Sequence, residues 1–349
     1  MRAMRMLLAV VMLLMFPLEP GHVWVVQTAG IDSNLRGVSV ARSTPSEGSS
    51  NSIVWVSGSH GVILQSPKTN GTAWVQLHVT GGETLDFRSI QAFDDKRAYV
   101  MSSGEGEKSR IYKTTDGGQN WKLQYTGSRQ SFFLDALVCD SPVRCLALSD
   151  PVDGRFLILA TSDGEQWRPL AEHAMPLALK DEGAFAASGT CLTIYGNDIY
   201  FVTGGPVARL FHSPDMGRMW SVIPLPIASG NPAAGAFSVA RRGRNMVVVG
   251  GDYKNPDRHD RLSAYSHDAG RTWKLAKQSP AGYRSAVAWL DDHTVAAAGP
   301  SGEEISTDGG MHWRPNSSLN LNALAALSLS DAWAIGEKGL ISRFSIQTH

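Results

Sequence analysis

Residues 114–124 read TTDGGQNWKLQ, and residues 306–315 read STDGGMHWRP. A turn of this composition has a local physical logic. Gly supplies the positive φ that a tight hairpin requires. The Asp carboxylate accepts hydrogen bonds from turn N–H groups that would otherwise go unpaired, and the Ser or Thr hydroxyl supports the same turn. The Trp then returns into a sheet as a large apolar surface between neighbouring units. All these roles are structural.

Further copies follow the same pattern: TSDGEQW ends at Trp167, SPDMGRMW at Trp220 and SHDAGRTW at Trp273, with a decayed copy, SPKTNGTAW, at Trp74. With Trp121 and Trp313 the spacings are 47, 46, 53, 53 and 40 residues. Periods in this range point to propellers or solenoids. Asp116, Asp163, Asp215, Asp268 and Asp308, with their tryptophans, are therefore read as scaffold.

Short alternating strands precede each turn. Residues 86–121 give DFRSIQAF, RAYVMSS, RIYKTT and the NW that opens the next strand. One four-stranded meander per repeat is the reading. Residues 321–346 supply only three strands, and HVWVVQTAG (22–30) matches NWKLQYTG (120–127) in the placement of its Gln and Gly after Trp. Trp24 is thus expected to bring the fourth strand to the last sheet, a pairing that locks a radial array and removes an exposed edge. The expected fold is an all-β, seven-bladed propeller over residues 22–349, with blades at 31–78, 83–126, 132–171, 184–224, 233–277, 283–316, and 321–346 with 22–28.

The chain has 349 residues, with 32 basic and 32 acidic side chains and a formal net charge of zero. That balance argues against nucleic acid as a partner, because counterion release needs a basic excess. Arg2 and Arg5 precede the apolar run Met6–Phe16, closed by Pro17 and Pro20. Residues 1–21 read as a signal peptide or N-terminal anchor, placing the protein in the periplasm or outside the cell, with membrane contact only through that segment if it is retained. Cys139 and Cys145 flank DSPVR across an expected hairpin, where export favours a disulfide, leaving Cys191 over.

The pattern resembles the Asp-box (BNR-type) propellers, and within them the photosystem II stability/assembly factor family and its non-photosynthetic bacterial relatives. The single seven-blade ring, the FRSI and YRSA blade openings and the run VSGSHGVIL carry the resemblance. In that family a basic patch on one face is implicated in holding a newly made membrane subunit. The resemblance implies a similar holding role here, with another client.

Strand parity places the starts of the first strands and the 2–3 loops on one rim. LRGV, FRSI and YRSA put Arg36, Arg88 and Arg284 there, and the 2–3 loops add Arg110, Arg155, Arg209 and Arg261. A guanidinium fork matches a carboxylate in two hydrogen bonds, so the expected partner is an acidic or carboxylate-bearing protein or peptide, bound by a monomer. Acids share these loops, including Asp150, Asp153, Asp257 and Asp260, so internal pairing is the competing reading. The longest 2–3 loop, 250–261, offers Asp252, Tyr253 and Arg258 for specificity.

A carbohydrate-active hydrolase using the same mouth is the alternative. A sialidase's Arg-Ile-Pro opening is replaced by Leu35-Arg36-Gly37, and no Tyr–Glu pair can be assigned. A glycosidase needs two carboxylates, for which Asp150 and Asp252 are the candidates. No His-Glu-x-x-His, Cys-x-x-Cys or Gly-x-Ser-x-Gly occurs, so neither metal nor cofactor is expected. Asn70-Gly-Thr72 and Asn316-Ser-Ser318 fit a glycosylation sequon.

Overall fold

The computed structural model describes residues 22–27, 30–42, 52–67 and 73–346. The segment read as a signal or anchor, the sequon at Asn70 and most of the decayed turn before Trp74 lie outside them. The described residues form seven antiparallel sheets, six of four strands and one of five.

Blade one comprises Leu35–Arg42, Ser52–Gly58, Ile63–Gln65 and Val75–Leu77. Blade two comprises Asp86–Ala92, Ala98–Ser103, Arg110–Thr114 and Lys122–Thr126, and blade three Leu134–Ser141, Arg144–Val152, Arg155–Thr161 and Arg168–Pro169. Blade four is built of Leu192–Tyr195, Asp198–Val202, Arg209–Ser213 and Ser221–Pro224. In blade five the meander is Asn231–Arg242, Asn245–Asp252, Ser263–Ser266 and Lys274–Leu275, with Gly204–Gly205 added along its inner edge. Blade six comprises Ala286–Trp289, Val295–Gly299, Gly302–Ser306 and Arg314–Ser317. Blade seven takes Leu321–Ser328, Asp331–Gly336 and Ile341–Ile346 from the end of the chain and His22–Val26 from its beginning. Trp24 pairs with Phe344, their rings 5.0 Å apart, so the closing strand is the expected one.

The core lies between the blades. Trp55 and Ile63 of blade one pack with Phe87 and Val100 of blade two. Val54 and Leu64 of blade one meet Trp333 and Ile335 of blade seven across the seam. Edge-to-face pairs add to the area buried there: Trp121 sits 6.2 Å from Trp55, and Trp167 5.9 Å from Tyr99. Each of these tryptophans leans on the preceding blade, as its return from the turn requires.

The turns follow their sequence. Thr114 Oγ1 accepts the Gly118 N–H at 2.9 Å, and Asp116 Oδ1 accepts the Asn120 N–H at 3.0 Å. Ser306 and Asp308 repeat the arrangement with the N–H groups of Gly310 and His312. Gly118 and Gly310 have φ of +83° and +90°, and a Cβ on either would meet a side chain of the preceding blade within 3 Å, Leu77 or Val247. Only Gly satisfies both constraints. The Glu165 and Gln166 amides are among the donors to Asp163, whose pKa they hold at about 2.

Candidate functional site

Five inner strands share one irregularity. The pairing skips a residue between Leu35 and Gly37, Phe87 and Ser89, Leu134 and Ala136, Ala236 and Ser238, and Leu321 and Ala323. A bulge of this kind re-aims the side chain it leaves out. Those residues are Arg36, Arg88, Asp135, Phe237 and Asn322, and all five line one cavity of about 550 Å³ at the axial channel.

Blade four completes the mouth. The expected blade began at residue 184, but its inner strand starts at Leu192. The residues before it reach across the axis instead. Ala184 N–H donates to Asp150 Oδ1 at 2.9 Å, and the Ala186 carbonyl accepts from Arg88 Nη1 at 3.0 Å and from Arg36 Nη2 at 3.5 Å. Ser188 Oγ donates to the Ser285 carbonyl of blade six at 2.7 Å. One segment thus touches blades one, two, three and six and plugs the channel beneath the mouth.

The two mouth arginines differ. Arg88 pairs with Asp86 at 2.6 Å. Among the described residues Arg36 makes no ion pair, and its buried Nε has no hydrogen-bond partner. Burial first, then the Arg88 charge, lower its pKa. Beside them, burial and the Asp150 charge push Asp135 well above the usual carboxylate range, and its buried Oδ2 has no partner. Burial raises Asp150 to about 6 against the opposing hydrogen bond from Ala184 N–H. The other wall is aromatic. Phe185 stacks on Phe237 at 3.7 Å, and Tyr283 meets Phe237 edge-on at 4.7 Å. Tyr253, 48% exposed, stands at the lip. A second cavity, of about 620 Å³, shares Asp150, Ala184, Phe185 and Tyr253 with the first and continues past Gly204, Gly205 and Pro232.

Of the seven arginines expected on one rim, Arg36 and Arg88 line this cavity. Arg284 is 1% exposed and faces Glu304, with Nη2 to Oε1 at 2.7 Å, while its Nη1 donates to the Tyr283 carbonyl and Ser301 Oγ. A buried carboxylate on the third strand of its own blade claims this guanidinium and turns it away from the channel. Arg209 forms an ion pair with the buried Glu182. Arg110, Arg155 and Arg261 donate to the carbonyls of Glu107, Met175 and Pro226, and Arg258 pairs with Asp260. These arginines fasten loops. Asp252 is 2% exposed. Burial opposes its ionisation, but hydrogen bonds from Asn255, Asn231 and the Lys254 N–H outweigh it and hold the pKa down. It organises the loop that carries Tyr253.

Asp135, Phe185, Phe237, Tyr283 and Asn322 were not singled out by sequence reasoning. For three of them a signal existed. Leu134-Asp135-Ala136, Ala236-Phe237-Ser238 and Leu321-Asn322-Ala323 occupy the repeat position of Leu35-Arg36-Gly37. Cys139 and Cys145 stand directly opposite each other and form the expected disulfide, and Cys191 is a buried thiol. Among the described residues, no group of three His, Cys, Asp or Glu is placed to hold a metal ion.

Fold and site define a seven-bladed propeller with a plugged axial channel and a mixed-charge, aromatic-walled pocket at one mouth. No family model and no curated protein sequence matches the chain. Among solved structures it is similar to YCF48 bound to a D1 peptide, at 14% identity and a TM-score of 0.63, covering 93% of this chain and 97% of that one. YCF48 from Cyanidioschyzon merolae gives 15% identity and a TM-score of 0.63 over 92% and 98%. A GH74 enzyme from Niastella koreensis gives 13% and 0.60 over 92% of this chain and 53% of that one. At these identities the likeness is one of fold.

Proposed function

We propose that this chain is an exported holding protein that captures a carboxylate-bearing protein or peptide segment in the mouth bounded by Arg36 and Arg88. The observation that carries the reading is Arg36, a half-buried guanidinium lining an open cavity, which makes no ion pair among the described residues and whose buried Nε has no partner. A buried N–H donor left without an acceptor is costly, and a carboxylate would satisfy the guanidinium in two hydrogen bonds. The peptide-bound YCF48 propeller supports peptide capture on this fold. The N-terminal run after Arg2 and Arg5 and the Cys139–Cys145 disulfide support export.

The test is salt-dependent capture of short carboxylate-bearing peptides by the protein and by Arg36→Ala/Arg88→Ala. The double variant is expected to lose at least roughly tenfold in affinity, about 1.4 kcal/mol or more, with the propeller still folded. Capture that survives both substitutions overturns the reading.

One observation favours a hydrolase. Asp135 and Asp150 place two carboxyls in the mouth of a fold that the Niastella koreensis GH74 enzyme shares. Asp252, the partner expected for Asp150, is committed to its loop. Asp135 is 1% exposed, which leaves a general acid little reach to a glycosidic oxygen, and the holding role is preferred. Turnover of a β-glucan that disappears in Asp150→Asn would reverse that preference.

A further inference from the structure

Blade three interrupts its outer strand. In blades two and four the fourth strand stays paired with the third as far as the rim, Thr126 with Arg110 and Pro224 with Arg209. In blade three it is Arg168–Pro169, and its register partners are Ala160 and Leu159. The Leu170 N–H still donates to the Ile158 carbonyl at 2.9 Å, and the chain then leaves the sheet through the short turn Glu172–Ala174. It comes back at Pro176, whose carbonyl accepts the Phe156 N–H at 3.1 Å, and at Leu177, which bridges to Arg155. The excursion opens a cavity of about 400 Å³ between this blade and blade two. Small-molecule sites span about 300–1,000 Å³. The cavity shares no lining residue with the channel mouth.

The interior is apolar. Phe132, Phe156 and Met175 are buried, and Leu157, Leu170 and Tyr125 line the cavity half-buried. Its charged residues fall into two sets. Arg129, in the connection after blade two, forms an exposed ion pair with Asp153, in the turn between the second and third strands of blade three, and the two neutralise each other. Arg155 and Glu172 are not so matched. Arg155 Nη1 donates to the Met175 carbonyl at 2.8 Å, which ties the guanidinium down and leaves most of its N–H donors over. Among the described residues neither Arg155 nor Glu172 makes an ion pair. A simple anion would be drawn to Arg155 and repelled by Glu172, and a simple cation would meet the reverse. A dipolar ion offers each of them the opposite charge.

We propose that the cavity between blades two and three binds a small zwitterion on a large apolar body, the chemistry of a free α-amino acid such as phenylalanine. Its carboxylate takes the spare donors of Arg155, its ammonium faces Glu172, and its side chain packs against Tyr125, Leu157 and Leu170. No covalent bond changes. The site is separate from the mouth that holds Arg36 and Arg88, so the proposal stands whether or not that mouth captures a partner. Apolar burial supplies attraction for any ligand of this shape, and the two unmatched charges supply the selection among them.

The experiment is calorimetric titration of the protein near neutrality with L-phenylalanine, glycine, 3-phenylpropionate, phenethylamine and N-acetyl-phenylalaninamide. L-Phenylalanine is expected to bind at least roughly tenfold tighter than either singly charged analogue. Glycine, which lacks the apolar body, should give no measurable binding. Glu172→Gln, at an exposed position, is expected to stay folded and to lose roughly tenfold in affinity for L-phenylalanine. The same variant should bind 3-phenylpropionate at least as well as the unaltered protein does. Arg155→Met should lose L-phenylalanine and admit phenethylamine; if it fails to fold, Glu172→Gln carries the comparison. No binding of L-phenylalanine, or an affinity unchanged in Glu172→Gln, overturns the site. Equal affinity for 3-phenylpropionate or phenethylamine overturns the selection for a zwitterion. Equal affinity for N-acetyl-phenylalaninamide would assign the cavity to a side chain of a polypeptide and overturn the free amino acid. None of these outcomes bears on capture at Arg36 and Arg88.

Discussion

Arg36 and Arg284 are the middle residues of the tripeptides Leu-Arg-Gly and Tyr-Arg-Ser, yet among the described residues one makes no ion pair and the other is sealed against Glu304. What separates them is a partner on another strand, which no reading of either tripeptide contains. The Arg284–Glu304 pair is buried on both sides, with side chains 2% and 3% exposed. Removing one member strands the other, so Glu304→Ala is expected to cost about 3–5 kcal/mol, whereas Arg284→Met/Glu304→Leu should cost far less. Urea unfolding of both variants checks this. A near-neutral Glu304→Ala would mean that Arg284 reaches water or another carboxylate, restoring it to the rim.

At the scale of the element, the turns were legible because every donor and acceptor lies within four residues. Thr114, Asp116, Gly118 and Asn120 close their network without the rest of the chain. The stretch 184–190 was not. It alternates like a strand, but contacts 98 and 150 residues away, from Arg88 and Arg36 to the Ala186 carbonyl, draw it across the axis. The closing strand was legible from the missing fourth strand of the last blade. Its energetic weight sits in Trp24, buried against Phe344 and in one cluster with Ala286 and Leu324. Trp24→Ala is expected to lower stability by about 3–5 kcal/mol. Deleting 22–26 should leave Ile341–Ile346 as an open edge that self-associates. Light scattering and thermal melting report both, and a monomeric, equally stable deletion would show that the last blade needs no fourth strand.

For the whole molecule, the seam also bears a titrating group. Glu303 of blade six faces the Trp24 indole without reaching hydrogen-bond geometry and accepts from Asn316 Nδ2 at 2.8 Å. Burial raises its pKa from 4.5 to about 7. Below the lower value both folded and unfolded chains hold the proton, and no penalty arises. Between the two values only the folded chain holds it, so the contribution of Glu303 to stability declines as pH rises through that window and is constant above it. Glu303→Gln should remove this slope and stabilise the protein by on the order of 2 kcal/mol at about pH 8. Melting curves at about pH 4.5 and about pH 8 test it; equal gains at both would assign the effect to packing. By itself the sequence determined the ring, because repeat period, turn chemistry and strand alternation act over a few residues and recur. Only the tertiary structure decided the site. Strands far apart in the chain meet at the axis, and which guanidinium finds a carboxylate, which carboxyl keeps its proton and which segment fills the channel are settled where they meet.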